Sequence, residues 1–166
     1  MFYEGGIREP FLVRFPGRTP EGSKNDSVIS QIDLFPTFLE LTGGKVDQTL
    51  DGISLLPAFH GETLPDRSIF WHFPAYLQGQ KNLSGSASKI FRTTPCSVIR
   101  KGDWKLIQYF EDNVLELYNL ANDPSETKDL AKENPDQADA LLEELQNWQA
   151  KTKAPIPTQK NPAYRR

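Results

Sequence analysis

The chain opens on a stretch that combines small, charged and ring-constrained residues, Tyr3-Glu4-Gly5-Gly6-Ile7-Arg8-Glu9-Pro10. Its two adjacent glycines lack a Cβ, so the backbone there can turn sharply or lie close to a neighbour. An apolar run follows at 11–15 and ends at Pro16-Gly17, which is typical of a short buried strand. A buried strand needs neighbours on both sides, and no parallel partner lies nearby in the sequence. The stretch therefore predicts a loop that leads into one strand of something larger.

Composition excludes several classes of protein. The chain has 166 residues, of which 37% are hydrophobic, enough to bury a core. A formal charge of −3 argues against a nucleic-acid partner or an anionic membrane surface, both of which attract basic proteins. No apolar run of about 18 residues exists, so we expect no membrane span, and the N-terminus shows no signal peptide. The one cysteine excludes an internal disulfide framework, and two histidines are too few for a histidine-built metal site.

The first third of the chain predicts one strand and two helices. Apolar residues recur at nearly helical spacing within 29–42, and Gly43-Gly44 supplies a stop signal. A shorter helix is predicted over 54–60, after the turn signature at 50–52.

In the next part of the chain, the apolar residues no longer recur at helical spacing. Aromatic and β-branched residues predict a strand at 68–73, and a meander of three more at 97–100, 104–110 and 114–120. The polar stretch 77–95 predicts a long loop. The final helix is the clearest element, since one face carries Ala138, Leu141, Leu142, Leu145 and Trp148. The residues alone thus predict an α+β unit, with a small antiparallel sheet packed on a C-terminal helix.

Five blocks of sequence, in this order, resemble the C-terminal third of the formylglycine-dependent sulfatases, an arylsulfatase-like family of the alkaline phosphatase-like superfamily. The blocks are Tyr3-Glu4-Gly5-Gly6-Ile7-Arg8-Glu9-Pro10, Ser30-Gln31-Ile32-Asp33-Leu34-Phe35-Pro36-Thr37, Leu50-Asp51-Gly52-Ile53-Ser54-Leu55, Ile99-Arg100-Lys101-Gly102-Asp103-Trp104-Lys105-Leu106, and Glu116-Leu117-Tyr118-Asn119-Leu120 followed by Asp123-Pro124 and Glu126.

The resemblance implies the C-terminal piece of an α/β enzyme that hydrolyses sulfate esters. It assigns 1–62 to the end of the catalytic domain, 63–154 to a sheet-and-helix subdomain and 155–166 to a flexible tail. In that family the nucleophile is a formylglycine made within a C-x-P-S-R or C-x-A-x-R motif, and a calcium ion stabilises charge on the sulfate. We expect both cofactors, and a sulfate-binding lysine, in a preceding part of the protein. The intact enzyme is expected in the periplasm or outside the cell; the chain itself indicates no compartment.

The single cysteine does not match the family's nucleophile motif. Cys96 has Arg100 four residues later, but Val98 stands where the motif has Pro or Ala, and the segment predicts a strand. We therefore predict a structural thiol, and neither a catalytic residue nor a metal ligand in this chain.

Two residues are candidates for substrate binding. His72 lies in a block that leads into the loop above the substrate pocket of many sulfatases, where an imidazole can hydrogen-bond a sugar hydroxyl or the sulfate. The alternative is a histidine packed on an aromatic strand. Tyr76 is the second candidate. Lys81, Lys89 and Arg92 either attract an anionic glycan or are ordinary solvated side chains.

Charged residues elsewhere have structural interpretations. Glu4 and Arg8 either support the active-site wall or stabilise a turn. We predict that Arg100, Asp103 and Lys105 face solvent or form cross-strand pairs and belong to the fold.

The sequence thus predicts a sulfatase fragment that completes the fold, shapes the substrate pocket and is inactive alone. Its partners would be a sulfate ester, such as that of a sulfated glycan, and the missing N-terminal part. A non-catalytic module that binds sulfated carbohydrate, and a phosphate or phosphonate ester hydrolase on the same scaffold, remain alternatives.

Overall fold

A computed structural model describes residues 2–78 and 91–159. The chain divides into two compact units, which we call the sheet unit (up to Glu9 and from Arg67 onward) and the helical unit (Pro10–Asp66). The predicted division placed 1–62 in one piece and began the next at 63. That division into domains stays a prediction; in the structure, residues 2–9 group with the sheet unit.

The sheet unit is built on four antiparallel strands. The strands in the described residues are β1 (Ser68–Phe73), β2 (Leu77–Gln78), β3 (Phe91–Thr93), β4 (Cys96–Lys101), β5 (Trp104–Tyr109) and β6 (Leu115–Asn119). The main sheet has the order β1-β4-β5-β6, which confirms the predicted strand and meander. The short strands β2 and β3 pair with each other, so the predicted loop 77–95 is interrupted at both ends. Lys81 and Lys89 lie outside the described residues.

One face of the sheet is covered by the C-terminal helix. The helices are α1 (Glu4–Ile7), α2 (Leu34–Thr42), α3 (Leu56–Phe59) and α4 (Pro135–Thr152). Helix α4 packs its predicted apolar face on the sheet, in a cluster of Ile99, Leu106, Leu117, Ala138, Leu141 and Leu145. The helix begins at Pro135, and the Asn134 side chain before it makes no capping hydrogen bond. The ring of Trp148 stacks on Phe70 of β1.

The opposite face of the sheet carries a second apolar cluster. Its buried members are Cys96, Val98, Ile107, Tyr109, Tyr118 and Leu120. Phe2, Tyr3 and Trp71 pack against it, so the start of the chain covers this face. The Cys96 thiol is fully buried, and burial raises its pKa, which leaves it an unreactive structural thiol as predicted.

In the helical unit, buried polar groups join two of the sequence blocks. The Asp33 carboxylate accepts hydrogen bonds from the backbone N–H groups of Ser30 (2.7 Å) and Ile53 (3.0 Å). The hydroxyl of Thr37 accepts from the N–H of Leu55 at 2.8 Å. A Cβ on Gly52 would lie 2.1 Å from the carbonyl oxygen of Ile32, so only glycine fits there. The predicted helix is confirmed as α2, which ends at a left-handed Gly43.

The predicted strand at 11–15 is wrong. This segment has no regular secondary structure, and Leu12 is 93% exposed. Among the described residues no strand pairs with it, and an extended segment without a partner has no ladder hydrogen bonds to hold it. Helix α2 likewise leaves apolar side chains in solvent, Phe35, Phe38 and Leu41, as does Ile32 in the 3-10 turn before it.

We expect Leu145→Ala to destabilise the sheet unit by about 2–5 kcal/mol, because it opens a cavity between α4 and the sheet. Leu145 is fully buried, whereas Glu143, two residues earlier, is exposed and supplies a control. Urea unfolding followed by tryptophan fluorescence measures both variants. Glu143→Ala should change stability by no more than about 0.5 kcal/mol. Equal effects of the two substitutions would contradict this packing.

Candidate functional site

The candidate site is the turn at the start of the chain, residues 3–8, which we call the N-terminal turn. Its backbone is closed by hydrogen bonds from the Gly6 N–H to the Tyr3 carbonyl (2.8 Å) and from the Arg8 N–H to the Glu4 carbonyl (2.9 Å). Gly5, Gly6 and Arg8 are exposed, whereas Glu4 is buried. The turn therefore presents its glycines outward and inserts its acidic side chain into the sheet unit.

Glu4 enters a buried cluster of four charges, which we call the ion cluster: Glu4, Arg100, Lys105 and Glu126. The Lys105 side chain is fully buried, with its Nζ 3.1 Å from Glu4 Oε1 and 2.7 Å from Glu126 Oε1. The Nη1 of Arg100 lies 3.5 Å from Glu4 Oε2. Two cations thus balance two carboxylates where water is excluded, as buried charges require.

The backbone of the N-terminal turn is attached to the same cluster. The Glu4 N–H donates a hydrogen bond to Glu126 Oε2. The other carboxylate oxygen of Glu126, Oε1, contacts Lys105 as an ion pair and accepts no directed hydrogen bond. The pairing with Lys105 is therefore what offsets the desolvation of that oxygen.

Local structure after β6 places Glu126. Asp123 accepts hydrogen bonds from the backbone N–H groups of Thr127 (2.8 Å) and Lys128 (2.9 Å), and these bonds lower the pKa of its carboxyl. Glu126 itself has a left-handed backbone, with φ of 55°. This tight turn carries the Glu126 side chain back to the sheet, where its carboxylate is 2% exposed.

The sequence prediction for this region was wrong in one respect. Arg100 and Lys105 are cross-strand partners in β4 and β5, as predicted. Two like charges directly opposite each other are unfavourable. The structure relieves this by inserting the Glu4 carboxylate between them, so Lys105 is buried rather than solvated. The blocks that carry these residues were recognised, but sequence reasoning missed their pairing, because the residues are up to 122 positions apart.

Tyr3, the residue before Glu4, belongs to a second polar cluster. We call it the tyrosine cluster, and its members are Tyr3, Tyr109, Glu116 and Tyr118. The hydroxyls of Tyr3, Tyr118 and Tyr109 donate to Glu116 Oε2 at 2.7, 3.1 and 3.4 Å. Burial raises the pKa of all three hydroxyls, so they remain donors at neutral pH. Burial also raises the pKa of the Glu116 carboxyl, although the tyrosine hydrogen bonds oppose that shift.

The predicted substrate-binding residues lie near the end of β1. The Nδ1 of His72 is 2.7 Å from the Ser97 hydroxyl, and its Nε2 is 3.2 Å from the Pro155 carbonyl oxygen. Because a carbonyl oxygen can only accept, Nε2 donates to Pro155, while Nδ1 forms the hydrogen bond with the Ser97 hydroxyl. Both ring nitrogens are thus engaged within the chain, and the start of the predicted flexible tail is hydrogen-bonded. Tyr76 is 49% exposed. The substrate-binding role of both residues stays a prediction.

The described residues do not fit the two cofactors that the resemblance implies. Within residues 2–78 and 91–159, no group of three or more His, Cys, Asp or Glu side chains is placed to hold a metal ion. The buried Cys96 lies inside a strand and has Val98 at the second following position. In the same residues no helix has the length and apolar character to cross a membrane.

The tyrosine cluster predicts a pH dependence of stability. Burial raises the pKa of Glu116 above its ordinary 4.5, so the folded state binds this proton more tightly than the unfolded state. Stability should fall as the pH rises from 4.5 through the folded-state pKa, and Glu116→Gln should remove that contribution. Urea unfolding at a series of pH values measures this. Parallel curves for the wild type and Glu116→Gln would contradict it, and Glu143→Gln, at an exposed position, is the control.

Comparison with known proteins shows that most of this chain is similar to sulfatases. The family described as "N-sulphoglucosamine sulphohydrolase, C-terminal" matches residues 1–153. A sulfatase of Formosa agariphila is 34% identical over 93% of this chain and 29% of its own length. A Delta 4,5-hexuronate-2-O-sulfatase of Bacteroides thetaiotaomicron is 30% identical over 80% of this chain and 26% of its own length.

Solved structures show a common fold. The structure of BT4656 in complex with its substrate D-glucosamine-2-N,6-O-disulfate matches 89% of this chain and 29% of its own, with a TM-score of 0.64 at 24% identity. The chain thus spans less than a third of the length of these relatives. The predicted resemblance is confirmed: the chain belongs to the sulfatase family, as a C-terminal sulfatase domain with the alkaline phosphatase-like superfamily's small sheet and helix.

Proposed function

We propose that this chain is the C-terminal part of a larger sulfatase, in which it completes the catalytic domain and shapes one side of the substrate pocket. The observation that carries the proposal is the uncovered apolar surface of the helical unit. Phe35 and Phe38 of α2 are 53% and 60% exposed, and Phe11 and Leu12 of the same unit are exposed as well. Apolar surface of this kind is normally buried in an interface. The occupant that fits is the preceding catalytic part, since the relatives are more than three times as long.

The same proposal assigns the chemistry to that preceding part. Formylglycine and calcium, which the family resemblance implies, would be supplied there, because the described residues fit neither. This chain would then be inactive alone. Export to the periplasm or the cell exterior stays a prediction.

The proposed substrate class is a sulfate ester of a carbohydrate. The names of two relatives support this, since one acts on a hexuronate 2-O-sulfate and another is complexed with a disulfated glucosamine. A phosphate or phosphonate ester remains the alternative for the same scaffold. The separate alternative of a carbohydrate-binding module gains no support from His72, because both of its ring nitrogens are already hydrogen-bonded.

We expect a chimera to test the apolar surface directly. The preceding part of the Bacteroides hexuronate sulfatase, matured to formylglycine in its host, would be joined to this chain at its first block. The chimera should release sulfate from that enzyme's own substrate, and Phe38→Asp should abolish release because it places a charge in the buried interface. In the isolated chain, where Phe38 is 60% exposed, the same substitution should leave the urea midpoint nearly unchanged.

Glu40→Gln, at an exposed position of the same helix, is the control and should keep full activity. Retained activity in Phe38→Asp would contradict the interface.

We also expect Tyr76 to contact the substrate. In the active chimera, Tyr76→Ala should raise KM about tenfold with a smaller change in kcat, as for loss of one hydrogen-bonding, stacking contact worth roughly 1.4 kcal/mol. Initial-rate kinetics of sulfate release measure both constants. Tyr76→Phe separates the hydroxyl from the ring. Unchanged KM in both variants would remove Tyr76 from the substrate site.

A further inference from the structure

Three consecutive residues at the start of the chain are each anchored to the sheet unit by a different interaction. The ring of Phe2 packs beside Phe73, with centroids 6.0 Å apart. The hydroxyl of Tyr3 joins the tyrosine cluster, and the carboxylate of Glu4 joins the ion cluster. The next two residues, Gly5 and Gly6, are exposed. One side of the N-terminal turn is therefore held against the sheet unit, and its other side, which we call the open side, is exposed.

The composition of the open side is not explained by packing within the chain. A Cβ built on Gly5 meets no described atom within 4 Å, and its φ is not in the left-handed region. A glycine in a helical turn is less favourable than alanine, so something else must require it. Gly52 shows the contrast, because a backbone oxygen there leaves no space for a side chain. The space beside Gly5 is available to a group outside this chain.

We propose that Lys105 is a positioning residue for this open surface. Buried in β5, it holds the Glu4 carboxylate against Glu126 and thereby fixes the N-terminal turn as a part of the active-site wall. The inference rests on the proposed sulfatase function for the identity of the site, but the fixing of the turn is a property of this chain.

The reason that Lys105 controls position, beyond adding stability, is that the backbones carrying the two carboxylates are held differently. Glu126 is fixed by the turn at Asp123, whereas Glu4 lies on a segment that has no strand pairing to the sheet. Without the Lys105 amine, two buried carboxylates face each other with only Arg100 nearby, and one of them must move or bind a proton. The segment that can move is the N-terminal turn.

Hydrogen exchange on the full 166-residue chain tests this directly. In Lys105→Met, the amides of Gly6 and Arg8 should exchange about tenfold faster or more, while those of β5 and α4 change by less than about threefold. Lys101→Met is the matched control, since Lys101, at the end of β4, forms a largely exposed ion pair with Glu144 of α4. It should leave the N-terminal turn unchanged.

A second variant keeps the test decisive if Lys105→Met does not fold. Glu4→Gln retains the size of the side chain and removes the charge from the movable end only. It should accelerate exchange of the same two amides without changing α4. Equal acceleration of all amides, or an unchanged turn in the folded variants, would overturn the positioning role.

The chimera supplies the functional measurement. There, Lys105→Met should lower kcat by about 10–100-fold with KM within about threefold, because a displaced wall misplaces the reacting groups more than it weakens binding. Lys101→Met should have full activity. A released turn with unchanged kcat would overturn the inference. An inactive wild-type chimera would count against the proposed function, and the exchange result would still decide whether Lys105 holds the turn.

Discussion

The constraint on which the sheet unit depends is that the amine of Lys105, fully removed from water, must be neutralised by side chains from elsewhere in the chain. Its two carboxylate partners come from Glu4, 101 positions earlier, and Glu126. A buried amine without these partners would be very unfavourable. Meeting that requirement brings the first residues of the chain onto the sheet, although the whole helical unit intervenes in the sequence.

These contacts give the five sequence blocks a structural role. The first, fourth and fifth blocks meet in the ion cluster, while the second and third meet where Asp33 accepts the N–H of Ile53. In each case a buried carboxylate joins segments that are distant in sequence. Directed hydrogen bonds to buried charges specify one arrangement more strictly than apolar contacts do. The resemblance to the sulfatases is therefore carried in this chain by residues that fix backbone positions.

The sequence predicted correctly those elements whose buried face can be recognised from their own residues. The aromatic and β-branched runs of the meander and the apolar face of α4 predicted the sheet and its covering helix, and the structure confirms both. The predicted strand at 11–15 was wrong, because an apolar run does not itself supply the neighbouring strand that its ladder hydrogen bonds need, and none of the described strands pairs with it. Alternation also failed at Lys105, since it gives the face of a strand but not the partner that arrives from Glu4. His72 was correctly placed on an aromatic strand, yet its bond to Pro155 depends on where the tail returns.

The ion cluster serves to hold the N-terminal turn in one position more than it serves to stabilise the folded chain. Replacing buried ion pairs by apolar groups of similar size is often neutral or stabilising, so stability alone would not require four charges here. An apolar contact at Glu4 would also tolerate sliding of the N-terminal turn along the sheet, because dispersion has little directionality. An amine held between two carboxylates tolerates much less displacement, since each contact weakens as its geometry departs from the hydrogen-bonding direction. A turn that presents Gly5 and Gly6 to a neighbouring group needs that restriction more than it needs additional stability.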